Sequence, residues 1–141
     1  MPRPSSLIAA NLLVCEKVLE EKDNVPSLIR VSDGFMIPKG NELAALEFNV
    51  FANFSFEPSD QGPHRIRFGL LKPDGSSDLI GPETPTPDES HRDAAIVNGP
   101  RAFSTFIRLS LLANLEGVYW VTLVIDGEEA TRIHFVCSKA Q

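Results

Sequence analysis

One stretch in the first half of the chain, LEFNVFANFSF at residues 46–56, alternates apolar and mostly polar side chains. Successive side chains of a β-strand point to opposite faces, so this period predicts a long strand with one buried face. The same alternation recurs at residues 64–70 and, with odd positions inward, at residues 103–111. These segments favour antiparallel strands that are half exposed to solvent.

Turn-forming residues punctuate the rest of the sequence at short intervals. They lie at residues 38–41, 72–75 and 98–100, and shorter strand candidates lie at residues 7–15, 27–31 and 93–97. About eight short strands with frequent turns are typical of a sandwich rather than of alternating strands and helices. We therefore predict a single all-β domain over residues 1–141, an immunoglobulin-like antiparallel β-sandwich. Residues 16–21 have helix-forming composition and are expected to form a turn of helix or the end of the first strand.

The predicted core is made of apolar side chains on the inward faces of these strands. They are Phe48, Phe54, Phe68, Leu109, Tyr119, Val121, Ile133 and Phe135. Residues 81–90 hold three prolines and several acids, which excludes a central strand or a helix. This segment is expected to be the longest loop of the domain.

The last third of the chain contains a hairpin, residues 117–136, with the only Tyr and the only Trp of the protein. Tyr119 shares its parity with apolar positions, which predicts a core residue whose hydroxyl bonds back across the preceding turn. A three-residue loop at 125–127 would set Trp120 opposite Arg132. A ring under a guanidinium there would form a cation–π pair of about 0.5–1 kcal/mol.

Length, charge and cysteine content restrict the classes of protein that this chain can represent. A chain of 141 residues is long enough for one core. A net charge of −6 argues against nucleic acid as a partner, because phosphate binding needs clustered Lys and Arg. No apolar run is long enough to predict a membrane span or a membrane partner. Cys15 and Cys137 are expected to be buried free thiols of a cytoplasmic protein, with a disulfide as the alternative if the terminal strands are neighbours.

Three segments together resemble an uncharacterised family of small bacterial proteins, a domain of unknown function. They are ANLLVCE at residues 10–16, VPSLIR at residues 25–30 and the hairpin at 117–136. The resemblance implies a compact immunoglobulin-like β-sandwich without an assigned activity. It brings no catalytic residues with it, and residues 58–100 carry no part of it.

Motifs for catalysis, cofactors and metals are missing from the sequence. The nucleophile elbow Gly-x-Ser-x-Gly and the glycine patterns that cradle phosphates do not occur. No paired His or Cys spacing predicts a metal site, and the densest set of possible ligands, Asp88, Glu89, His91 and Asp93, is equally typical of a solvated loop. We therefore predict no catalytic residue, no cofactor, no metal and no enzymatic activity.

The sequence favours a non-catalytic protein-interaction or assembly module, with a protein partner or self-association as a homodimer. Its contact surface is expected at a sheet edge or the 81–90 loop, with Trp120, Arg132, His91 and Arg92 as contact residues. The alternatives are a sandwich that binds a small ligand or a carbohydrate, for which only Trp120 offers an aromatic platform, and an enzyme. An enzyme site would be assembled from scattered residues such as His64, His91 and Arg92.

Overall fold

The computed structural model describes residues 5–20, 26–38, 44–60, 62–86 and 99–140. Nine β-strands and no helix lie within these residues. The strands are β1 (Leu7–Glu20), β2 (Pro26–Val31), β3 (Gly34–Ile37), β4 (Ala44–Phe56), β5 (Arg65–Leu71), β6 (Ser77–Pro85), β7 (Arg101–Ala113), β8 (Gly117–Ile125) and β9 (Glu128–Lys139). The predicted all-β class is confirmed.

The strands form two sheets that pack face to face. The four-stranded sheet has the order β2-β1-β4-β7 and the five-stranded sheet has the order β3-β9-β8-β5-β6. All neighbouring strands are antiparallel, as predicted, except β3 and β9, which run parallel at one edge. The sandwich is confirmed, and its immunoglobulin-like character stays a prediction.

Aromatic side chains from both sheets fill the space between them. Phe48 of β4 contacts Phe135 of β9 with ring centroids 5.1 Å apart, and Phe135 stacks on Tyr119 at the same distance. Every predicted core residue is buried except Ile133, which is half-buried and packs against the core. The alternation at residues 46–56 is confirmed, since its even positions are all buried.

Tyr119 occupies the corner that the sequence predicts. The residue is 2% exposed, and its hydroxyl donates a hydrogen bond of 2.9 Å to the carbonyl oxygen of Leu115. Burial raises the pKa of this hydroxyl above its usual range. The bond fixes the chain just before β8 begins.

The variant Tyr119→Phe is expected to lower the free energy of unfolding by about 1 kcal/mol, because it leaves the Leu115 carbonyl without its side-chain donor. Urea denaturation at neutral pH measures the change. Trp120→Phe, on the opposite face of the same strand, serves as an aromatic control. A loss for Tyr119→Phe no larger than experimental error would show that the corner bond contributes nothing.

The closing hairpin differs from the predicted register. Its turn contains two residues, Asp126 and Gly127, both with positive φ (52° and 82°), and Ile125 pairs with Glu128. This is the geometry that Asp-Gly favours in a two-residue turn. The predicted loop had three residues, so one residue is left over, and it forms a bulge after Leu123. The bulge keeps the apolar residues of β8 and β9 on the same face and places Trp120 opposite His134 rather than opposite Arg132.

Two further segments differ in extent from their predictions. Residues 16–20 continue β1, so the strand alternative is confirmed over those positions. Residues 81–85 belong to β6 rather than to a loop. Proline is tolerated there because β6 is an edge strand, where a missing N–H removes no bond from an inner ladder. Thr86 follows the strand, and positions 87–90 of the predicted loop lie outside the described residues.

Candidate functional site

A buried polar cluster lies at one end of the sandwich, around His64. The Nε2 atom of His64 is 2.8 Å from Oδ2 of Asp60, and its Nδ1 atom is 2.6 Å from Oδ2 of Asp126. The imidazole is stacked on Phe56, with ring centroids 3.9 Å apart and planes 7° from parallel. Both ring nitrogens therefore face a carboxylate while the ring face is covered by an aromatic side chain.

Arg101, the first residue of β7, completes this cluster. Its side chain is 1% exposed, and Nη1 lies 3.5 Å from Oδ1 of Asp60 and donates to the carbonyl oxygens of Asp60 and Gly62. The guanidinium also lies over the Phe103 ring, 5.6 Å from its centroid. A buried arginine needs such partners, because an uncompensated buried charge is strongly destabilising.

The local backbone explains how these groups meet. Asp126 sits in the β8–β9 turn, where its Oδ1 accepts a 2.9 Å hydrogen bond from the backbone N–H of Arg65. The backbone N–H of His64 donates to the hydroxyl of Thr86, just after β6. The cluster thus joins the connection between β4 and β5 to the ends of β6, β7 and β8.

The hydrogen bonds of Asp60 outweigh its burial. Burial raises the pKa of this carboxyl, whereas the hydrogen bond from the Ser6 hydroxyl, the charge of His64 and the backbone N–H of Gly62 lower it, and the net pKa lies below the usual range. Each carboxylate and each ring nitrogen is engaged within the protein. We therefore assign this cluster to stability rather than to chemistry.

The exposed face of the four-stranded sheet carries a row of apolar side chains across three strands. Leu13 of β1 pairs with Phe51 of β4, which pairs with Phe106 of β7. Leu13 is 38% exposed and Phe106 is 36% exposed, while Phe51 between them is half-buried. The two rings face solvent because the residues on either side of them in each strand point into the core.

A second row on the same face is polar and uncharged. Asn11, Asn53 and Ser104 are partners in neighbouring strands and all three are exposed. Within the described residues the amides of Asn11 and Asn53 make no hydrogen bond, whereas the amide of Asn49 donates to the carbonyl oxygen of Glu16. We call the two rows, with Leu13, Phe51 and Phe106, the aromatic face.

The predicted contact residues lie elsewhere. Trp120 and Arg132 are on the outer face of the five-stranded sheet, where the guanidinium is 5.5 Å from the ring centroid. The predicted cation–π contact is therefore present although the two residues are not directly opposite. Arg132 also forms a bidentate ion pair with Glu129 at 2.7 and 3.1 Å. His91 and Arg92 lie outside the described residues.

Metal, membrane and thiol predictions have different outcomes. The part of the chain that the structure describes contains no group of three or more His, Cys, Asp or Glu side chains able to hold a metal ion. The possible ligands at residues 88–93 lie outside that part. No helix among the described residues is long and apolar enough to cross a membrane.

Cys15 and Cys137 are free and buried, as predicted, and burial raises the pKa of both thiols.

The chain is similar in structure to part of a solved protein. No protein family and no curated protein matches the sequence. A solved structure of the alkylpurine DNA glycosylase AlkC of Pseudomonas fluorescens, bound to DNA containing an abasic site analog, is similar over 73% of this chain with 10% identity and a TM-score of 0.44. The match covers 27% of the glycosylase chain.

This neighbour corrects two predictions made from the sequence. AlkC is a DNA glycosylase bound to DNA, whereas we expected a non-catalytic protein-interaction module with a protein or self-association partner and without nucleic acid. Neither prediction is retained. The physical weakness of the second was its use of net charge, which describes the whole chain and not one face. At this identity and TM-score, the activity of AlkC is not carried over to this chain.

Sequence reasoning named His64 only as part of an alternative enzyme site and missed the other residues that these two sites use. Phe51 is an apolar residue at an outward-facing position of β4, so it breaks the alternation. This break is the sequence signal from which the aromatic face could have been predicted. Asn53 sits mid-strand although Asn is depleted from strands. Asp60 lies only four residues from His64, but Asp126 lies 62 residues away, and no sequence pattern brings it to the same ring.

Proposed function

We propose that this protein binds single-stranded nucleic acid and stacks its bases on the aromatic face of the four-stranded sheet. The observation that carries the proposal is the solvent-facing pair of rings, Phe51 and Phe106, directly opposite each other in neighbouring strands. Sheets that present aromatic side chains on adjacent strands stack two or three bases of a single strand. Stacking removes the ring faces from water, which favours binding.

The polar row beside the rings supports the same function. Each of Asn11 and Asn53 offers an amide donor and an acceptor that no group of the described chain uses. A base edge presents donors and acceptors at matching spacing, and an asparagine amide can bind one in bidentate fashion. The row lies two residues from the rings along each strand, about 7 Å away, within reach of a base stacked on Phe51.

The charge distribution fits base recognition better than phosphate tracking. The rows that contain the rings and the asparagines hold no charged residue. Affinity is therefore expected from stacking, which is compatible with a net charge of −6 on the chain. Binding should be weak, and its dependence on salt concentration should be shallow and limited to a few phosphate contacts, because few counterions are released.

Two earlier predictions accompany this proposal. We keep the expectation that the protein is not an enzyme, and the proposal contains no catalytic step. We also propose a cytoplasmic location, which the two buried, unpaired thiols support because cytoplasmic proteins keep their cysteines reduced. The resemblance to an uncharacterised bacterial family stays a prediction.

The ring variants Phe51→Ala and Phe106→Leu test the function. Each is expected to weaken binding of a fluorescently labelled oligothymidylate by about 1–3 kcal/mol, roughly 5- to 150-fold, because one base loses its stacking partner. Fluorescence anisotropy at low salt measures the affinity. Phe106→Leu keeps an apolar side chain without a ring face, so it separates stacking from simple apolar contact.

Leu112→Ala is the matched control for these variants. Leu112 is 64% exposed on the same side of β7 as Phe106 but lies outside the aromatic face. Truncation of its side chain should leave binding of the oligothymidylate unchanged. Thermal unfolding of each variant confirms that the sheet is intact. Absence of binding by the unaltered protein, or binding by both ring variants as tight as that of the unaltered protein, would refute the proposal, as would selective binding of neutral oligosaccharides.

A further inference from the structure

A polar depression of about 370 Å³ adjoins the aromatic face. Its polar lining consists of Lys17, Arg108, Asn49, Glu16 and Glu47. Arg108 lies two residues beyond Phe106 on β7, so both side chains are on the same face, about 7 Å apart along the strand. A base stacked on Phe106 would therefore bring its backbone to this depression.

The charged groups of this region are unequally paired. Nη2 of Arg108 is 2.8 Å from Oε2 of Glu47, and the two side chains are 68% and 60% exposed. Glu16 is 3.4 Å from Nη1 of Arg30, whereas Lys17 forms no ion pair with the described residues. The lining holds two cations, Lys17 and Arg108, and two carboxylates, Glu16 and Glu47. Because Glu16 is also paired with Arg30, Lys17 is left as the cation of this depression that no carboxylate of the described residues holds.

We propose that Arg108 and Lys17 form a phosphodiester site, and that Glu47 occupies Arg108 until the phosphate displaces it. This inference rests on the proposed function and names the groups that bind the backbone between stacked bases. An exposed ion pair is held weakly because water and salt screen it, so an incoming anion can replace the carboxylate. The planar guanidinium of Arg108 binds phosphate oxygens in bidentate fashion.

Two substitutions test the site through the affinity for single-stranded nucleic acid and the dependence of that affinity on salt concentration. Glu47→Gln removes the competing carboxylate and is expected to tighten oligothymidylate binding by about 1.5- to 5-fold. Arg108→Gln is expected to weaken binding and to reduce the slope of log K against log salt concentration by about 0.7, the value for one phosphate contact on a single strand. Glu83→Gln is the matched control, because Glu83 pairs with Arg65 at 3.2 Å in the other sheet.

The outcomes separate this site from the proposed function. Binding that depends on Phe106 but keeps an unchanged salt slope in Arg108→Gln would overturn the phosphate site alone. Inorganic phosphate tests the site in the absence of nucleic acid. It should shift the nuclear magnetic resonance signals of the backbone amides around Arg108 in Glu47→Gln and not in Arg108→Gln. Absence of that shift in both variants would also overturn the site.

Discussion

Replacement of Asp60 by asparagine is expected to lower the free energy of unfolding by about 3–5 kcal/mol, the usual cost of removing one partner from a buried ion pair. The variant leaves Arg101, which is 1% exposed, without the carboxylate that lies 3.5 Å from its Nη1. It also removes the carboxylate that faces Nε2 of His64. Urea denaturation of the variant and the unaltered protein at pH 7 measures the difference.

The same carboxyl makes stability depend on pH in the acid range. Because the folded-state pKa of Asp60 lies below that of an unfolded aspartate, the unfolded chain takes up the proton first as the pH falls. The contribution is complete above about pH 4 and is lost as the pH drops through the lower folded-state pKa. Asp60→Asn should therefore flatten the decline of stability with acidification.

A surface aspartate provides the control for this variant. Asp78 is 63% exposed and pairs with Lys72 at 3.2 Å. Asp78→Asn is expected to cost at most about 1 kcal/mol, because exposed ion pairs contribute little. Equal losses for Asp60→Asn and Asp78→Asn would contradict the assignment of the His64 cluster to stability.

Truncation of Phe135 to alanine is the second change with a large expected effect, about 3–5 kcal/mol. Phe135 is fully buried and contacts the rings of Tyr119, Phe48 and Phe35 at 5.1, 5.1 and 5.4 Å. Its removal leaves a cavity between the two sheets that these rings cannot all move to fill. Guanidinium denaturation measures the loss of stability.

Met36→Ala is the comparison for that truncation. Met36 is 66% exposed on β3, the strand that runs parallel to β9, and its removal creates no cavity. The expected change is within about 0.5 kcal/mol. A loss below about 1.5 kcal/mol for Phe135→Ala would mean that the two sheets are not held together at this point.

The fold was largely predictable because one-sided burial leaves a period of two in the sequence. Residues 46–56 show the pattern clearly, and the structure gives them the expected inward face. The predicted register of the β8–β9 hairpin was wrong for a simple reason. The alternation of apolar residues shows that one extra residue lies between the paired positions, but it does not show whether that residue is in the turn or in a bulge. The Asp126 turn takes two residues, and the extra one sits in a bulge further along the strand.

The candidate sites were much less predictable, for two physical reasons. In the His64 cluster only Asp60 is close to His64 in sequence, whereas Asp126 and Arg101 come from distant segments and reach the cluster through tertiary packing. The aromatic face arises from register, since Phe51 and Phe106 become neighbours only when β4 pairs with β7. Trp120 was predicted to be the only aromatic platform because of its residue type. The strand pairing that places phenylalanine rings on the exposed face of the other sheet could not be read from the sequence.

The most direct test of the aromatic face is a nuclear magnetic resonance titration of 15N-labelled protein with unlabelled oligothymidylate. The largest shifts of backbone amide signals are expected in β4 and β7 around Phe51 and Phe106, with smaller shifts at Asn11. Shifts confined to the Trp120 and Arg132 face of the other sheet, or no shifts at millimolar strand concentration, would contradict the proposed binding surface.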